Sequence, residues 1–580
     1  MLATRNNFLF GANLLALPLP PTAVLIDPVP ASTSMADNNS IATLAEPDNV
    51  AVPPQPTGKS RAFYMSFLAI CVTTFLSAID LTAVGTALPT IAEALHDNKG
   101  DFTWVGSAYA LASTAFILLS GSLAEAFGRR PIVLISIAFF AIGSAIAGAA
   151  QNMNMMIAAR AIQGVGGGGI LALSEILVAD LVPLAERGIY QGLIGLVWAF
   201  ASSIGPPIGG ALANANLKAW RWLFFLNLPM SGFAFVLVIV YLSVKRPEGS
   251  FRSKLAQVDW IGNAFVIVGS GLAIIGLTWG GIRYPWASAQ VLAPLIIGLV
   301  MLAVFGVYEA KVPAYPTIPL DVIGNRTSLA GLLTTAIHSI TSIAVIYYMP
   351  VYFQAALGAN PLRSSVEMLP TALVISPFAF FAGAGISILK KYRGVNMLAW
   401  CFTIIALGLF TLLRDHTPTA KWVGFQVLVA AGFGMLFSAP VFPILAPLPP
   451  NRAASALALF TFTRAFFQTW GITIASTVLQ NELERNLPSA FVAQFPAGYE
   501  IAYISIPVIR AMDPADPLKG QVQAAFALSM RTVWQVMVGI AGIGLLACFL
   551  MKDVPMVNEL DETYALKEAK DKKVVDVEKR

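Results

Sequence analysis

The stretch GSLAEAFGRRP, residues 121–131, decides the fold because it contains the junction between two apolar runs, 103–124 and 131–150. Each run has the roughly 20 residues that an α-helix needs to cross the ~30 Å hydrocarbon core of a bilayer. The two glycines of the stretch allow a tight turn, and its two arginines place charge at a membrane surface. The stretch therefore predicts two membrane-spanning helices joined by a short charged turn.

Apolar runs of this length recur along the rest of the chain. A polar, proline-rich region precedes them and a charged tail follows them, and together they predict an all-α polytopic membrane protein with fourteen spans. The predicted spans are 63–86, 103–124, 131–150, 156–179, 190–213, 222–243, 260–280, 289–308, 328–352, 366–387, 394–413, 422–446, 455–478 and 530–551.

The composition supports this class of protein. Hydrophobic residues make up 57% of the 580 residues and charged residues only 12%, which is too little polar surface for a soluble chain of this length. The scarcity of charge also argues against nucleic-acid binding. The three cysteines lie in apolar runs, and the three histidines lie far apart, so neither pattern predicts a disulfide or a metal site.

The ends of the chain and one long loop complete the predicted topology. Residues 1–60 are expected to form a disordered cytosolic region, and residues 1–34 hold a weak signal-like stretch that is broken by prolines. A proline-rich loop is expected at 479–529 on the extracytosolic side, and residues 552–580 form a charged cytosolic tail. Lys and Arg are more frequent near the span ends on the N-terminal side, which places both termini in the cytosol.

Two ionisable residues inside the spans are the main functional candidates, because charge is costly in the bilayer core. Asp80 lies late in span 1 and Arg160 early in span 4, so both fall in the outer third of the membrane. A carboxylate beside a cation in a buried site suits proton coupling. The alternatives are a static ion pair, or an Asp80 that caps a helix kink.

The turn at 121–131 is a candidate cytosolic gate. Its expected members are Gly121, Glu125, Gly128, Arg129, Arg130 and, from the loop between spans 4 and 5, Arg187. The acid can pair with the basic residues or with a neighbouring helix end, and Glu186 is a further expected partner. The alternative is that these charges only anchor the helices at the cytosolic surface.

Span 5 contains GPPIGG at 205–210, and a membrane helix tolerates such prolines where its neighbours satisfy the backbone. Gly205 and Gly209 form a GxxxG pattern that permits close helix contact. The glycine run at 164–169 lacks the Lys-Ser/Thr ending of a phosphate-binding loop, so it predicts helix packing.

Polar and aromatic side chains within the spans are candidates for a substrate cavity, although each also suits an ordinary core or interface position. They are Gln163, Trp198, Tyr348, Gln354, Arg464 and Gln468. No nucleophile, base and orienting residue occur in a catalytic pattern, so an enzyme is not expected.

Several of these motifs, in this order, resemble the major facilitator superfamily, and in particular its fourteen-span drug:proton antiporters common in fungi. The resemblance covers about residues 60–552. Its motifs are Asp80-Leu81-Thr82 with Ala87-Leu88-Pro89, residues 121–131, Arg160 with Gln163-Gly164, residues 205–210, WRWLFFLNLP at 220–229, WGG at 279–281 with YPW at 284–286, and YYMPVYFQ at 347–354. Glu125 stands where that family usually has Asp, Ala126 where it often has a basic residue, and Gly85 where Asn is common.

The resemblance implies two six-helix bundles, 61–245 and 325–551, with two inserted spans at 255–310, which rock around a central site. It also implies that Asp80 and Arg160 serve proton coupling, that the residues around the 121–131 turn latch the cytosolic side, and that Gly205, Pro206, Gly209 and Gly210 set a helix bend associated with antiport.

The expected function is proton-driven export of a moderately hydrophobic organic molecule, such as a drug, toxin or secondary metabolite. Alternatives are a siderophore or organic-acid carrier of the same superfamily, or a non-transporting membrane receptor or scaffold. The expected partners are the substrate, protons and the lipid bilayer, with no nucleic acid. No cofactor is expected besides the proton gradient, and the protein is expected to be a monomer in the plasma membrane.

Overall fold

The computed structural model describes residues 59–95, 104–216, 218–245, 247–281, 283–495 and 501–556. The predictions for the N-terminal region and the charged tail therefore fall outside the described residues, apart from 59–60 and 552–556. Within the described ranges the chain is predominantly helical, and Gly280 and Tyr284 form an isolated β-bridge.

Seven helices form the first half of the described chain. They are α1 (Arg61–Ala94), α2 (Trp104–Phe127), α3 (Arg129–Gly148), α4 (Met153–Leu181), α5 (Arg187–Ala215), α6 (Arg221–Phe225) and α7 (Asn227–Tyr241). Polar side chains cap several helix starts. Ser60 Oγ accepts from Phe63 N at the start of α1, and Asn152 Oδ1 accepts from Met155 N at the start of α4.

The middle and second half follow the same pattern of long helices joined by short ones. They are α8 (Phe251–Ala256), α9 (Trp260–Trp279), α10 (Ala289–Lys311), α11 (Leu320–Gly324), α12 (Arg326–Val351), a π-helical turn (Tyr352–Ala356), α13 (Pro361–Glu367), α14 (Leu369–Leu389), α15 (Arg393–Phe410), α16 (Thr419–Ser438), α17 (Val441–Leu445), a 3₁₀ turn (Pro450–Arg452), α18 (Ala453–Asn486), α19 (Ser489–Val492), α20 (Ile501–Ala511) and α21 (Pro517–Phe549).

Thirteen helical segments of the described chain are long and apolar enough to cross a membrane, and they correspond to thirteen of the fourteen predicted spans. The remaining prediction, 455–478, lies inside α18, which has 34 residues and is long enough to cross. Its lower hydropathy comes from polar side chains such as Arg464 and Gln468 in the middle of the helix. The polytopic all-α architecture is confirmed.

The predicted loop at 479–529 is largely helical, which corrects the sequence interpretation of this region. α18 continues to Asn486 and α21 begins at Pro517, with α19 and α20 between them. Apolar side chains of these helices, such as Phe491, Ile509 and Val522, are buried in the core of the second bundle. Polar contacts add to this packing: Asn486 Nδ2 donates to Ser529 Oγ (3.1 Å), and Thr532 Oγ1 donates to Glu482 Oε2 (3.2 Å). A search for apolar runs of about 20 residues does not detect helices as short as α19 and α20.

The helices pack as two bundles and an inserted pair. α1 to α7 pack on one another, α12 to α21 form the second group, and α9 packs along α10 while also contacting α2 and α18. The bundles meet where α5 packs on α14 and where α2 and α4 pack on α18. A buried apolar cluster with members from α2, α4, α9, α10, α12, α14, α17 and α18 joins the three groups.

The end of the bundles that holds Arg61, Arg129, Arg187 and Lys390 is called the basic end here. Backbones approach closely across the bundle interface at this end: a Cβ on Gly188 of α5 would overlap the Gly383 carbonyl of α14. Lys390 Nζ also donates to the Ala185 carbonyl (3.2 Å). The two bundles are therefore closed against each other at the basic end.

The first residues after α21 are tied to the basic end of the second bundle. Asp553 Oδ1 accepts from the Arg393 amide (3.1 Å), while the Tyr392 hydroxyl donates to the Lys552 carbonyl (2.5 Å) and accepts from the Val554 amide (2.9 Å). Burial raises the pKa of Tyr392, so its hydroxyl keeps the proton that it donates.

Candidate functional site

The Asp80 carboxylate lies inside the first bundle and is fully hydrogen-bonded. Its Oδ2 accepts from Arg160 Nη1 (2.6 Å), and its Oδ1 accepts from Gln163 Nε2 (2.9 Å) and Asn227 Nδ2 (2.8 Å). The Asp80 side chain has no exposed area, and that of Arg160 is 1% exposed. Both charges are thus shielded from solvent and neutralise each other.

Arg160 uses its other atoms to fix its position. Its Nε donates to the Val105 carbonyl (2.9 Å), and Nη1 also donates to Gln163 Oε1 (2.6 Å). Its guanidinium carbon lies 4.5 Å from the centroid of the Tyr109 ring, a cation–π contact. The planar, always charged guanidinium suits such a site better than a lysine would, because it donates in several directions at once.

Two members of this network were not among the sequence candidates, although they hold it together. Asn227, at the start of α7, reaches Asp80, and Ser144 of α3 accepts from Gln163 Nε2 (2.8 Å). An asparagine within an apolar span is a signal that a sequence analysis can use. A serine carries no such signal, since it is common in membrane helices.

At the basic end, Arg129 pairs with an acid that the sequence analysis did not select. Arg129 Nε lies 2.9 Å from Asp180 Oδ2, and both side chains are buried. Arg187 Nη2 donates to the Ala179 and Val182 carbonyls, both at 3.1 Å, and so caps the C-terminus of α4. The pair links the start of α3 to the end of α4.

The other expected gate residues lie near this pair. Arg130 donates to the Ile239 carbonyl of α7, and Glu125 lies in the last turn of α2. Glu186 pairs with Lys59 (3.0 Å) at the surface. Neither of these two contacts joins the bundles, because Lys59, Arg130, Glu186 and Ile239 all belong to the first half of the chain.

The two glycines of the turn have different structural roles: Gly128 adopts an unusual backbone conformation, and Gly121 permits a close helix contact. Gly128 has φ +92°, the left-handed region that side chains rarely adopt. A Cβ on Gly121 would lie 2.8 Å from Ala458 Cβ, so α2 meets α18 closely at this point. Gly121 thus contributes to closure between the bundles.

The GPPIGG segment lies inside one helix, because α5 runs unbroken from Arg187 to Ala215. Gly205 packs on α1, where an added Cβ would overlap Thr82 Oγ1, while Gly209 is buried. Gly210 faces open space. Pro206 lies between these residues on the helix, and the bend assigned to the segment stays a prediction.

An acid of α4 and a base of α18 meet across the bundle interface. Glu175 Oε1 lies 4.0 Å from Arg464 Nη1, and Glu175 Oε2 accepts from Gln191 Nε2 of α5. Arg464 Nη2 donates to the Phe437 carbonyl (2.8 Å), and its guanidinium lies 4.4 Å from the ring centroids of Phe437 and Phe460. Arg464 was predicted as a cavity residue; Glu175 and Gln191 were missed.

The remaining cavity candidates have varied surroundings. Tyr348 is buried and its hydroxyl donates to the Ile472 carbonyl (3.3 Å), and Gln354 Nε2 donates to Ser364 Oγ (3.0 Å). Trp198 and Gln468 are half-buried, and Gln163 belongs to the Asp80 network. Their contact with a substrate stays a prediction.

A shallow, open groove of about 390 Å³ lies between α1 and α5, where Phe200 is exposed. Its lining is almost wholly apolar and consists of Cys71, Val72, Phe75, Leu196, Val197 and Phe200. Such a lining suits an apolar group. Among the described residues, no three His, Cys, Asp or Glu side chains are placed to hold a metal ion.

Residues 70–472 match the family model described as Major Facilitator Superfamily. Among similar proteins, Efflux pump FUS6 of Gibberella moniliformis is 38% identical over 92% of this chain and 96% of its own length. MFS-type efflux pump LUC4 of a Fusarium species is 39% identical over 89% and 92%, respectively. The Acurin A biosynthesis cluster MFS-type transporter of Aspergillus aculeatus is 36% identical over 88% and 93%.

Solved structures share the fold at low sequence identity. The proton:xylose symporter XylE, bound to 6-bromo-6-deoxy-D-glucose, has a TM-score of 0.50 and 14% identity over 80% of this chain and 99% of its own. The human organic anion transporter MFSD10 (TETRAN) also has a TM-score of 0.50 and 14% identity, over 84% and 100%. These likenesses support the all-α major facilitator fold.

Proposed function

The chain belongs to the major facilitator superfamily, and we propose from this premise that it is a proton-driven exporter of a moderately hydrophobic organic molecule. The observation that carries the proposal is the buried Asp80–Arg160 pair, an ionisable pair within an otherwise apolar bundle. Such pairs in membrane helices mark ion and substrate pathways. The efflux direction is supported by relatives that are named efflux pumps.

The proposed orientation puts the basic end in the cytosol, following the excess of Lys and Arg there. The described conformation, closed at that end, is proposed to be the outward-facing one. Alternating access would proceed by rocking of the two bundles about the central site. The glycine contacts of α2 with α18 and of α5 with α14 would latch the cytosolic side, and the Arg129–Asp180 pair would hold the adjoining ends of α3 and α4 in place within the first bundle.

In the proposed coupling step, a proton from the outer solution binds the Asp80 carboxylate. The neutral acid no longer balances Arg160, whose charge must then be met by other groups in the cavity. Binding of a proton is therefore linked to a change in the bonding of Arg160, Gln163 and Asn227. A static pair would hold the helices together without this response.

The substrate is proposed to be a small, moderately hydrophobic secondary metabolite. The apolar groove between α1 and α5 supports the hydrophobic character, and the half-buried Trp198 is adjacent in the sequence to Val197 of its lining. The relatives include a transporter named for a biosynthesis cluster, which supports a secondary metabolite rather than a nutrient. The plasma membrane is the proposed location, and the protein is proposed to act as a monomer without a cofactor besides the proton gradient.

The test uses inside-out membrane vesicles with an acid lumen and a panel of fluorescent apolar dyes. Wild-type vesicles should accumulate at least one dye only while the pH gradient lasts, and Asp80→Asn should abolish accumulation. Asp415→Asn is the matched control, because this half-buried acid pairs with His416 outside the helices and should leave transport unchanged. Accumulation that persists in the Asp80→Asn vesicles would refute the proposed coupling.

A further inference from the structure

The Glu175–Arg464 contact differs from the Asp80–Arg160 pair in its place in the fold. Asp80, Arg160, Gln163 and Asn227 lie on α1, α4 and α7, all within the first bundle. If the bundles rock as rigid bodies, the partners of Asp80 move with it, and its bonding does not by itself distinguish one conformation from the other.

Glu175 lies on α4 of the first bundle, whereas Arg464 lies on α18 of the second. Because this ion pair crosses the interface, separation of the bundles at the basic end must lengthen it. A group is coupled to a conformational change only when its interactions differ between the two states. Glu175 meets that condition by its position.

The cation that faces Glu175 is more distant than the cations that face the other two buried acids of the first bundle, although Gln191 also donates a hydrogen bond to Glu175. Its nearest Arg464 nitrogen lies 4.0 Å away, compared with 2.6 Å for Asp80 to Arg160 and 2.9 Å for Asp180 to Arg129. The 4.0 Å separation is too long for a hydrogen bond. Glu175 is nonetheless buried, with only 8% of its surface exposed.

We propose that Glu175 is a second coupling carboxylate, and that its protonation releases Arg464 and favours opening of the bundles at the basic end. This inference rests on the proposed proton-driven export. Asp80 and Glu175 then have separate tasks: Asp80 responds to protons within the first bundle, and Glu175 links protonation to the contact between the bundles.

The charges around Glu175 fit this task. Two cations act on its carboxylate, Arg464 of α18 and Arg187 of α5, while Gln191 of α5 donates a neutral hydrogen bond. On its own helix, Asp180 is engaged with Arg129 of α3. His338 of α12 is near enough to Arg464 to interact with its charge, and its buried Nε2 has no hydrogen-bond partner in the described structure. When Glu175 is neutral, Arg464 loses the carboxylate that opposes its charge, and the interface is weakened.

Binding of a proton to Glu175 on one side of the membrane and its release on the other would produce antiport. A proton from the acidic outer solution binds Glu175 in the outward-facing state, the pair with Arg464 breaks, and the basic end opens. The proton then leaves to the less acidic cytosol, and substrate enters from the same side. The ionised Glu175 again attracts Arg464 and favours return to the outward-facing state. One proton enters per cycle at this residue, and no bond other than that to the proton is formed or broken.

The experiment measures the distance between spin labels across the basic end, in purified protein with no proton gradient. Labels are attached at Ile189→Cys of α5 and Leu389→Cys of α14, two exposed positions, after alanine has replaced the three native cysteines. In the wild-type background, lowering the pH from about 8 to about 5 should raise the long-distance population about threefold or more.

Glu175→Gln should show the acid-like distribution at both pH values, because glutamine carries no charge to oppose Arg464. Arg464→Gln should give the same result, and the double variant should add nothing, since each change breaks the same pair. The matched control is Glu367→Gln, which removes a buried acid paired with Arg363 on its own helix (2.9 Å) and should retain the wild-type response.

A Glu175→Gln protein that follows the wild-type pH response would overturn the inference, as would an equal loss of response in Glu367→Gln. If Glu175→Gln does not fold, the comparison of Arg464→Gln with Arg464→Lys decides, because only the lysine variant should keep a pH response. Proton-driven dye transport without any pH-dependent distance change would overturn this inference and leave the proposed function intact. A response that requires Glu175 in a protein without proton-driven transport would refute the proposed function while supporting the assignment of Glu175.

Discussion

Removal of one charge from the Asp80–Arg160 pair should cost far more stability than removal of both. Arg160→Gln deletes the 2.6 Å ion pair and the hydrogen bond to Val105, and it leaves the Asp80 carboxylate buried without a cation. Breaking a buried pair from one side costs about 3–5 kcal/mol. Asp80→Asn should cost a similar amount, because the asparagine amide would place a donor against the Arg160 guanidinium.

The double variant Asp80→Asn/Arg160→Gln should be more stable than either single variant, because no unpaired charge remains. Replacement of a buried ion pair by neutral groups is often close to neutral in free energy, so the coupling energy should exceed about 2 kcal/mol. Equilibrium unfolding in mixed detergent–SDS micelles, followed by tryptophan fluorescence, measures these differences. All three variants should lose proton-driven transport, which separates stability from function.

The matched control for this cycle is the Arg452–Asp321 pair, whose side chains are 40% and 65% exposed at a separation of 3.6 Å. Exposed pairs of this kind contribute only about 0–1 kcal/mol, so Asp321→Asn should be almost without effect. Two results would refute the argument that the pair is buried and mutually dependent. One is a loss of unfolding free energy in the double variant equal to the sum of the two single losses; the other is single losses as small as that of Asp321→Asn.

Three further changes test the close helix contacts and the tail. Gly188→Val should lower the closed population at the basic end, measured by labels at 189 and 389, because its side chain overlaps the facing backbone of α14; Gly385→Val, which faces open space, should not. Gly205→Val should reduce stability by about 1–3 kcal/mol through its contact with α1, and an equal loss in Gly210→Val would contradict this. Asp553→Ala should speed proteolysis of the tail without changing dye transport, because only the bonds to the start of α15 are lost.

The spans could be predicted from the sequence because the requirement is local. A helix that crosses the hydrocarbon core needs about 20 apolar residues wherever it lies in the bundle, and thirteen of the predicted runs meet that requirement in the structure. α18 departs from it because polar side chains in its middle, including Arg464, face the other helices. The helices between 479 and 529 were missed because α19 and α20 are too short to cross a membrane and because Pro507, which reads as a helix breaker, lies inside α20.

The sequence by itself determined which charges are costly, and therefore singled out Asp80 and Arg160 without any knowledge of their partners. Only the tertiary structure decided what those charges meet, because hydrogen bonds in a bundle join residues that are distant in the chain. Asn227 reaches Asp80 from α7 for this reason. The same holds for Glu175 and Arg464, which lie in different halves of the chain and come together only when the two bundles close.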